Sequence, residues 1–383
     1  MFNLAKLEKI QVSTLKNIFI FLPVIMYAPF FFSEVINPYI RIGYFFIISL
    51  YLFISNRKFY INDLIIAVLF IMLIILFYLS LSDIEGLISA GNYCLTIFFG
   101  WALHRYLQAS NQRKYTMLNL YVGFFYLVAI FSTLSLIYLL LFGEFDLFGF
   151  KHEIRTHLVT PFGVHFKRII YDGFFLYRSF FYFVEGAHAS IFYAANIIIV
   201  APLLKSGSSR FAKVNFLGGL LTLSMTFYAV LFILYGFKKT KSTLSFFGVA
   251  LLAFTIFILF QSIDILSYSS SDDRTERFLL FFISMDIASI SQILFGHGIA
   301  FDGGFVKAFN SGLTLSIYET GIIGTITQLL ILYMLTRSSI ILVFFLLSAL
   351  VLDPIHYPLF WFLIVTASQI IRSKDLRTPN TNN

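Results

Sequence analysis

Between Asp63 and Asp83 the chain carries no ionised side chain, and the same is true between Lys114 and Glu144. A helix rises about 1.5 Å per residue, so each stretch can reach across a hydrocarbon core about 30 Å thick. Candidate spans recur at roughly 15–33, 38–55, 61–81, 86–104, 117–142, 188–204, 243–262, 311–335, 338–352 and 358–371. Backbone groups in lipid must satisfy one another within the segment, which favours helices. The expectation is an all-α, polytopic membrane protein, one integral-membrane domain over 1–383 with about 10–12 crossing helices. The last two candidates are short and flank Asp353-Pro354-Ile355-His356, which reads as a tight turn near one surface.

Composition argues against a soluble protein. Hydrophobic residues make up 59% of the chain and charged residues 12%, against about 45–50% and about 25% in a soluble domain. Too few ionised groups remain to wet a globular surface. A soluble enzyme, a disordered chain and a nucleic-acid binder are therefore poor readings. The net charge of +8 reads as membrane topology, because Lys and Arg collect in short cytoplasmic loops. Cys94 is the only cysteine, so no intramolecular disulfide or Cys-rich metal cluster can form. Lys6, Lys9 and Lys16 precede an apolar run over 17–32 that is too long for a signal-peptide core and lacks a small-residue cleavage site. It reads as a retained first span.

Counting basic residues places both termini in the cytoplasm. With the N-terminus inside, the inner segments hold Lys6, Lys9, Lys16, Arg57, Lys58, Arg105, Arg113, Lys114, Lys205, Arg210 and Lys213. The alternate loops hold Glu34, Asp83 and Glu85, with only Arg41 against them. The apolar stretch 214–237 conflicts with this count, since Lys238, Lys239 and Lys241 follow it on what would be the outer side. A hairpin turning near Thr222-Leu223-Ser224-Met225-Thr226 keeps these lysines inside. Two long segments, 143–187 and 263–310, then become large outer, periplasmic loops.

Chemistry-bearing residues concentrate in those loops. Arg178 lies where the first loop re-enters apolar sequence, and Arg274 and Arg277 lie one helical turn apart in the second. Arginine's planar fork fits phosphate oxygens in pairs, which makes these three candidate diphosphate ligands; the alternative is a solvated, charge-balanced loop surface. The run from Phe174 through Arg178 to Glu185-Gly186-Ala187-His188 sets a cation and a carboxylate among aromatics. It reads either as an interfacial aromatic belt or as a site in which Glu185 or His188 handles a proton. Gly296-His297-Gly298 adds a loop histidine, and Asn310 leads into the next span. Within that span, Tyr318-Glu319-Thr320-Gly321-Ile322-Ile323-Gly324 sets a carboxylate about two turns deep, where an ionisable group faces a cavity or partner. Gly321 and Gly324 read as close-packing positions. His152 and His157 are five apart rather than four, the wrong spacing for a zinc-binding helix face, and neither a P-loop nor a Gly-x-Ser-x-Gly elbow occurs.

The order of these features resembles the bacterial O-antigen polymerase (Wzy-type) and O-antigen ligase superfamily. The matching features are an outer loop ending Arg178…Phe180-Phe181…Glu185-Gly186, a broken hairpin containing Ser224, then Gly296-His297-Gly298, Asn310 and Tyr318-Glu319-Thr320-Gly321-Ile322-Ile323-Gly324. The resemblance covers roughly 170–335. It implies a glycosyltransferase of the bacterial inner membrane that joins undecaprenyl-diphosphate-linked oligosaccharide repeat units at the periplasmic face. It needs neither cofactor nor obligatory metal; its partners are the lipid-linked glycan donor and acceptor, the bilayer and, as a candidate, a chain-length regulator. Arg178, Arg274 and Arg277 would hold the donor diphosphate. Two departures stand out: Ser224 is followed by Met225 where the family commonly has arginine, and Phe309 precedes Asn310 where ligases commonly have histidine. The second favours polymerase over ligase. It leaves the general base open among Glu185, His188 and His297, with Glu185 preferred for its closeness to Arg178 and His297 disfavoured because flanking glycines make its position hard to fix. A transporter or flippase of the same lipid-linked oligosaccharides is the rival reading.

Overall fold

The computed structural model describes residues 16–25, 38–56, 58–79, 84–142, 157–160, 163–171, 174–181, 186–222, 224–240, 283, 288–297, 312–349 and 357–375. Its helices are α1 (Lys16–Ile25), α2 (Pro38–Ile54), α3 (Ile61–Leu79), α4 (Ile84–Gln108) and α5 (Asn111–Phe142). After these come α6 (Gly186–Ala195), α7 (Ser208–Leu221), α8 (Met225–Thr240), α9 (Ile290–Phe295), α10 (Gly312–Thr336), α11 (Ser339–Ala349) and α12 (Pro358–Asp375). Three of them, α3, α5 and α10, are long and apolar enough to cross a membrane, which suggests a membrane protein. The apolar run 243–262 and the turn at 353–356 lie outside the described residues.

The bundle is apolar on its outside. On α3, Leu64, Ile65, Val68, Ile71 and Ile75 are exposed, while Ile66, Leu73 and Phe77 turn inward. At the centre stands α12, buried without a break from Pro358 through Ile370. Aromatic rings pack around it: Phe21 meets Phe362 at 4.7 Å between centroids, and Phe344 stacks on Phe360 at 5.2 Å. Gly100 of α4 lets that helix press onto the Trp361 ring, where any Cβ would overlap the indole. Polar side chains sit inside beside this apolar core, among them Asn196, Asn215, Ser132 and Gln328. Apolar outside as well as inside, the bundle fits a chain surrounded by hydrocarbon.

Contacts between termini fix the direction of each helix. Lys16 at the start of α1 lies over the Tyr51 ring near the end of α2, at 5.1 Å. Arg113 at the start of α5 lies over Tyr106 near the end of α4, at 4.3 Å, and Lys205 before α7 lies over Tyr115, at 4.6 Å. Arg337, just after α10, donates to Asn62 Oδ1 at 2.6 Å beside the start of α3, and Gln369 of α12 meets His104 Nδ1 of α4 at 2.8 Å. Successive helices therefore run up and down, and these basic residues gather at one end of the bundle.

The stretch 214–237 does fold back. Thr222 Oγ1 and Ser190 Oγ lie 2.8 Å apart near the start of α6, while Lys238 Nζ donates to the Ile198 carbonyl at 3.2 Å, further along the same path. Chain chemistry explains that last bond. Pro202 has no N–H to give the carbonyl four residues back, so the helix passes through a π turn (Asn196–Val200) and a 3-10 turn (Ala201–Leu203), and Lys238 supplies the missing donor.

Two expectations need correction. The bundle is helical as expected, but the segment 143–187 is more than a loop. Within it β1 (His157–Thr160), β2 (Gly163–Tyr171) and β3 (Phe174–Phe181) form a small antiparallel sheet in the order β1-β2-β3. The overlooked signal is Asp172-Gly173 between two β-branched or aromatic runs, a strong two-residue hairpin cue. Arg105 is also no loop residue. It ends α4 with only 1% of its side chain exposed.

Candidate functional site

The end opposite the basic residues brings together the two motifs of the second half of the chain. α9 begins at a capping box: Ser289 Oγ accepts from the Gln292 N–H at 3.3 Å, and Gln292 Oε1 accepts from the Ser289 N–H at 2.9 Å. It stops at Gly296, whose backbone (φ 88°, ψ 170°) is open only to glycine. The chain then lies against α10 at the point where α10 is broken by Gly321 (φ 68°, ψ −176°). A Cβ on Gly296 would overlap the Glu319 carbonyl, and one on Gly321 would overlap the Leu294 carbonyl and the Gly296 nitrogen. Gly321 thus serves a break and a backbone-to-backbone approach, not simple helix packing. Gly324 differs, since its Cβ would meet the Thr320 side chain of its own helix.

His297 is held firmly despite its glycine neighbours. Its N–H donates to the Tyr318 carbonyl at 2.8 Å, and its ring stacks on the Tyr318 ring at 4.3 Å with 5° between planes. Among the described residues its buried Nδ1 has no hydrogen-bond partner. Glu319, the next residue on α10, is buried with 7% of its surface exposed.

Beneath this corner a polar network spans the break in α10. Tyr93 Oη of α4 and Ser316 Oγ both donate to Gln328 Oε1, at 2.6 and 2.8 Å. Thr320 Oγ1 donates to the Ser316 carbonyl at 2.7 Å and accepts from Gln328 Nε2 at 3.3 Å. Thr325 Oγ1 donates to the Gly321 carbonyl at 2.9 Å. Side chains from both sides of Gly321 thus meet in one network, with Thr320 and Thr325 each bonding the carbonyl four residues back. Neither Tyr93 nor Gln328 stands among the residues expected from sequence; a glutamine inside an apolar span was the available signal.

A second cluster forms where α6 begins. His188 Nδ1 lies 3.2 Å from Tyr357 Oη, with the rings edge to face. Thr222 Oγ1 donates to the Gly219 carbonyl at 2.7 Å, and Ser224, just before α8, is buried with 5% exposed. Ser224 therefore sits in the hairpin turn that the sequence located. Arg178 lies on β3 opposite Phe166, in the row His157–Phe166–Arg178 across the three strands. Glu185, Arg274, Arg277 and Asn310 lie outside the described residues. Among the described residues no three His, Cys, Asp or Glu converge on a metal position. No family model, no curated protein and no solved structure matches this chain.

Proposed function

We propose that this chain is a polytopic inner-membrane polymerase that joins undecaprenyl-diphosphate-linked oligosaccharide repeat units at the periplasmic face. The observation that carries the reading is the union of Gly296-His297 with Tyr318-Glu319-Thr320-Gly321, backbone against backbone. These motifs bear the resemblance, and they lie at the end away from Lys16, Arg113, Lys205 and Lys238. By the positive-inside rule the basic end faces the cytoplasm and the glycine corner the periplasm. The remaining apolar helices complete the set of spans, and both termini are cytoplasmic.

In this reading Arg178, Arg274 and Arg277 hold the donor diphosphate and stabilise it as it leaves. An acceptor sugar hydroxyl gives its proton to a base and attacks the anomeric carbon. His297 replaces Glu185 as the preferred base, because the Tyr318 stack fixes the ring that its glycines had made doubtful. A transporter of the same substrates is the second reading, since discontinuous helices such as α10 are used there too.

The test is purified protein in proteoliposomes with one lipid-linked repeat unit. A ladder of lengthened glycans is expected, with His297→Ala slower by about 10²-fold or more at equal abundance. Arg178→Lys and Arg274→Lys should both impair extension, because lysine keeps charge without the fork. Movement of substrate with no extension would instead make the chain a transporter. A cysteine at Lys239 in a Cys94→Ser background should resist impermeant thiol reagents added outside; ready labelling would reverse the orientation.

A further inference from the structure

Two contacts hold His297, and both are with Tyr318: a backbone bond of 2.8 Å to the Tyr318 carbonyl and the ring stack at 4.3 Å. Whatever fixes Tyr318 therefore fixes His297. Tyr318 stands on the last helical turn before the break at Gly321, midway between Ser316 and Thr320. Both ends of that turn are tied to one amide. Ser316 Oγ donates to Gln328 Oε1 at 2.8 Å, and Gln328 Nε2 donates to Thr320 Oγ1 at 3.3 Å. Gln328 lies about two turns beyond the break. It is buried with 4% exposed and is itself anchored to α4 through Tyr93 Oη at 2.6 Å.

The bonding also fixes which way the amide points. Thr320 Oγ1 gives its only proton to the Ser316 carbonyl at 2.7 Å, so toward Gln328 it can only accept. The amide nitrogen must face Thr320, and the oxygen is left to the Tyr93 and Ser316 hydroxyls. An amide in an apolar span is costly unless its bonds are made, and leucine would fill the space without that cost. What the amide adds is a fixed spacing for both ends of the Tyr318 turn. We propose that Gln328 is a positioning residue: its amide clamps the turn 316–320 and, through Tyr318, sets the place of the His297 ring. The effect on rate rests on the polymerase reading, in which His297 takes the acceptor proton; the placement of the ring does not. A base displaced by about 1 Å can lose on the order of 10²-fold in rate, so a small slackening of the turn is enough.

The test uses the full chain in neutral detergent and reads deuterium exchange at the imidazole C2 position of each histidine by mass spectrometry. Gln328→Met should change the exchange rate at His297 by about threefold or more, while His188 exchanges as in the parent. Thr327→Val removes another α10 hydroxyl, one that donates to the Ile323 carbonyl at 2.8 Å, and should leave exchange at His297 as in the parent. In the proteoliposome assay Gln328→Met should lower kcat for chain extension by about tenfold, with KM within about twofold. Unchanged exchange at His297 in Gln328→Met overturns the proposal, and so does an equal change at His188, which marks general loosening. Altered exchange with kcat at the parental value overturns it too. Altered exchange at His297, in a protein whose parent extends no glycan, upholds the positioning and sinks the polymerase reading instead. Should Gln328→Met not fold, Ser316→Ala carries the test, since it unties one end of the turn and leaves Tyr93 on the amide. A smaller change of the same kind at His297 is then expected, and no change overturns the proposal.

Discussion

Both ends of the bundle bury polar chemistry, but they complete it differently. At the basic end Arg105 Nη1 meets Asp63 Oδ2 at 2.8 Å, and its Nη2 donates to the Asn56 carbonyl at 2.7 Å. Trp101 Nε1 donates to Asp63 Oδ1 at 3.0 Å, while the rings of Phe53 and Phe59 flank the guanidinium at 4.5 and 3.9 Å. Asp63 also accepts the Tyr60 N–H at 3.0 Å, so one carboxylate caps α3 and neutralises the arginine. At the glycine end α10 is broken, two backbones touch and His297 Nδ1 has no partner among the described residues. A saturated cluster resists movement, whereas an unsaturated one held by glycine backbone retains capacity for further bonding. The difference separates a structural lock from a candidate working site.

Breaking the lock should cost most. Asp63→Ala leaves Arg105 charged and enclosed, with an expected loss of about 3–5 kcal/mol, read as a lower thermal midpoint and poor recovery in detergent. Replacing both partners by apolar residues, as in Asp63→Leu with Arg105→Met, should recover much of that loss. Failure to recover would show that Trp101 and Asn56 depend on the ions for more than charge balance.

The glycine corner should be next. Gly321→Ala forces a left-handed backbone and a clash with the Leu294 carbonyl; about 1–3 kcal/mol of strain is expected. α9 should detach from α10, which a cysteine at Leu294 would report as faster thiol labelling in the Cys94→Ser background. Gly324→Ala, which meets only the Thr320 side chain, should be milder. Equal effects at the two glycines would mean that the break at Gly321 has no special role.

The smallest effect belongs to the network under the break. Tyr93→Phe removes one of two donors to Gln328 Oε1 and should cost about 1 kcal/mol, since Ser316 still serves that oxygen. A loss as large as that of Asp63→Ala would make the glycine end as tightly interlocked as the basic end.

Much of this was legible in the chain. The candidate spans mark most of the helices, and the basic residues on both sides of 214–237 favoured the return that the structure shows at Thr222–Ser224. The sheet has its own cue, Asp172-Gly173, within a segment whose aromatic and charged residues read equally well as an interfacial loop. Gly296, which in the sequence implies freedom beside His297, serves in the fold a close approach to the Glu319 carbonyl.

Apolar spacing and basic loop charge determined by themselves that the chain is helical, hydrophobic on its outside and polarised end to end, because period and charge balance are local quantities. Only the tertiary structure decided that Asp63 finds Arg105, that Lys238 reaches the carbonyl left open by Pro202, and that Gly296 lies on Glu319 beside Gly321. Each of these joins groups from separate helices in a low-dielectric interior. There an unpaired polar group is costly enough to select its partner, and no window of sequence contains both members.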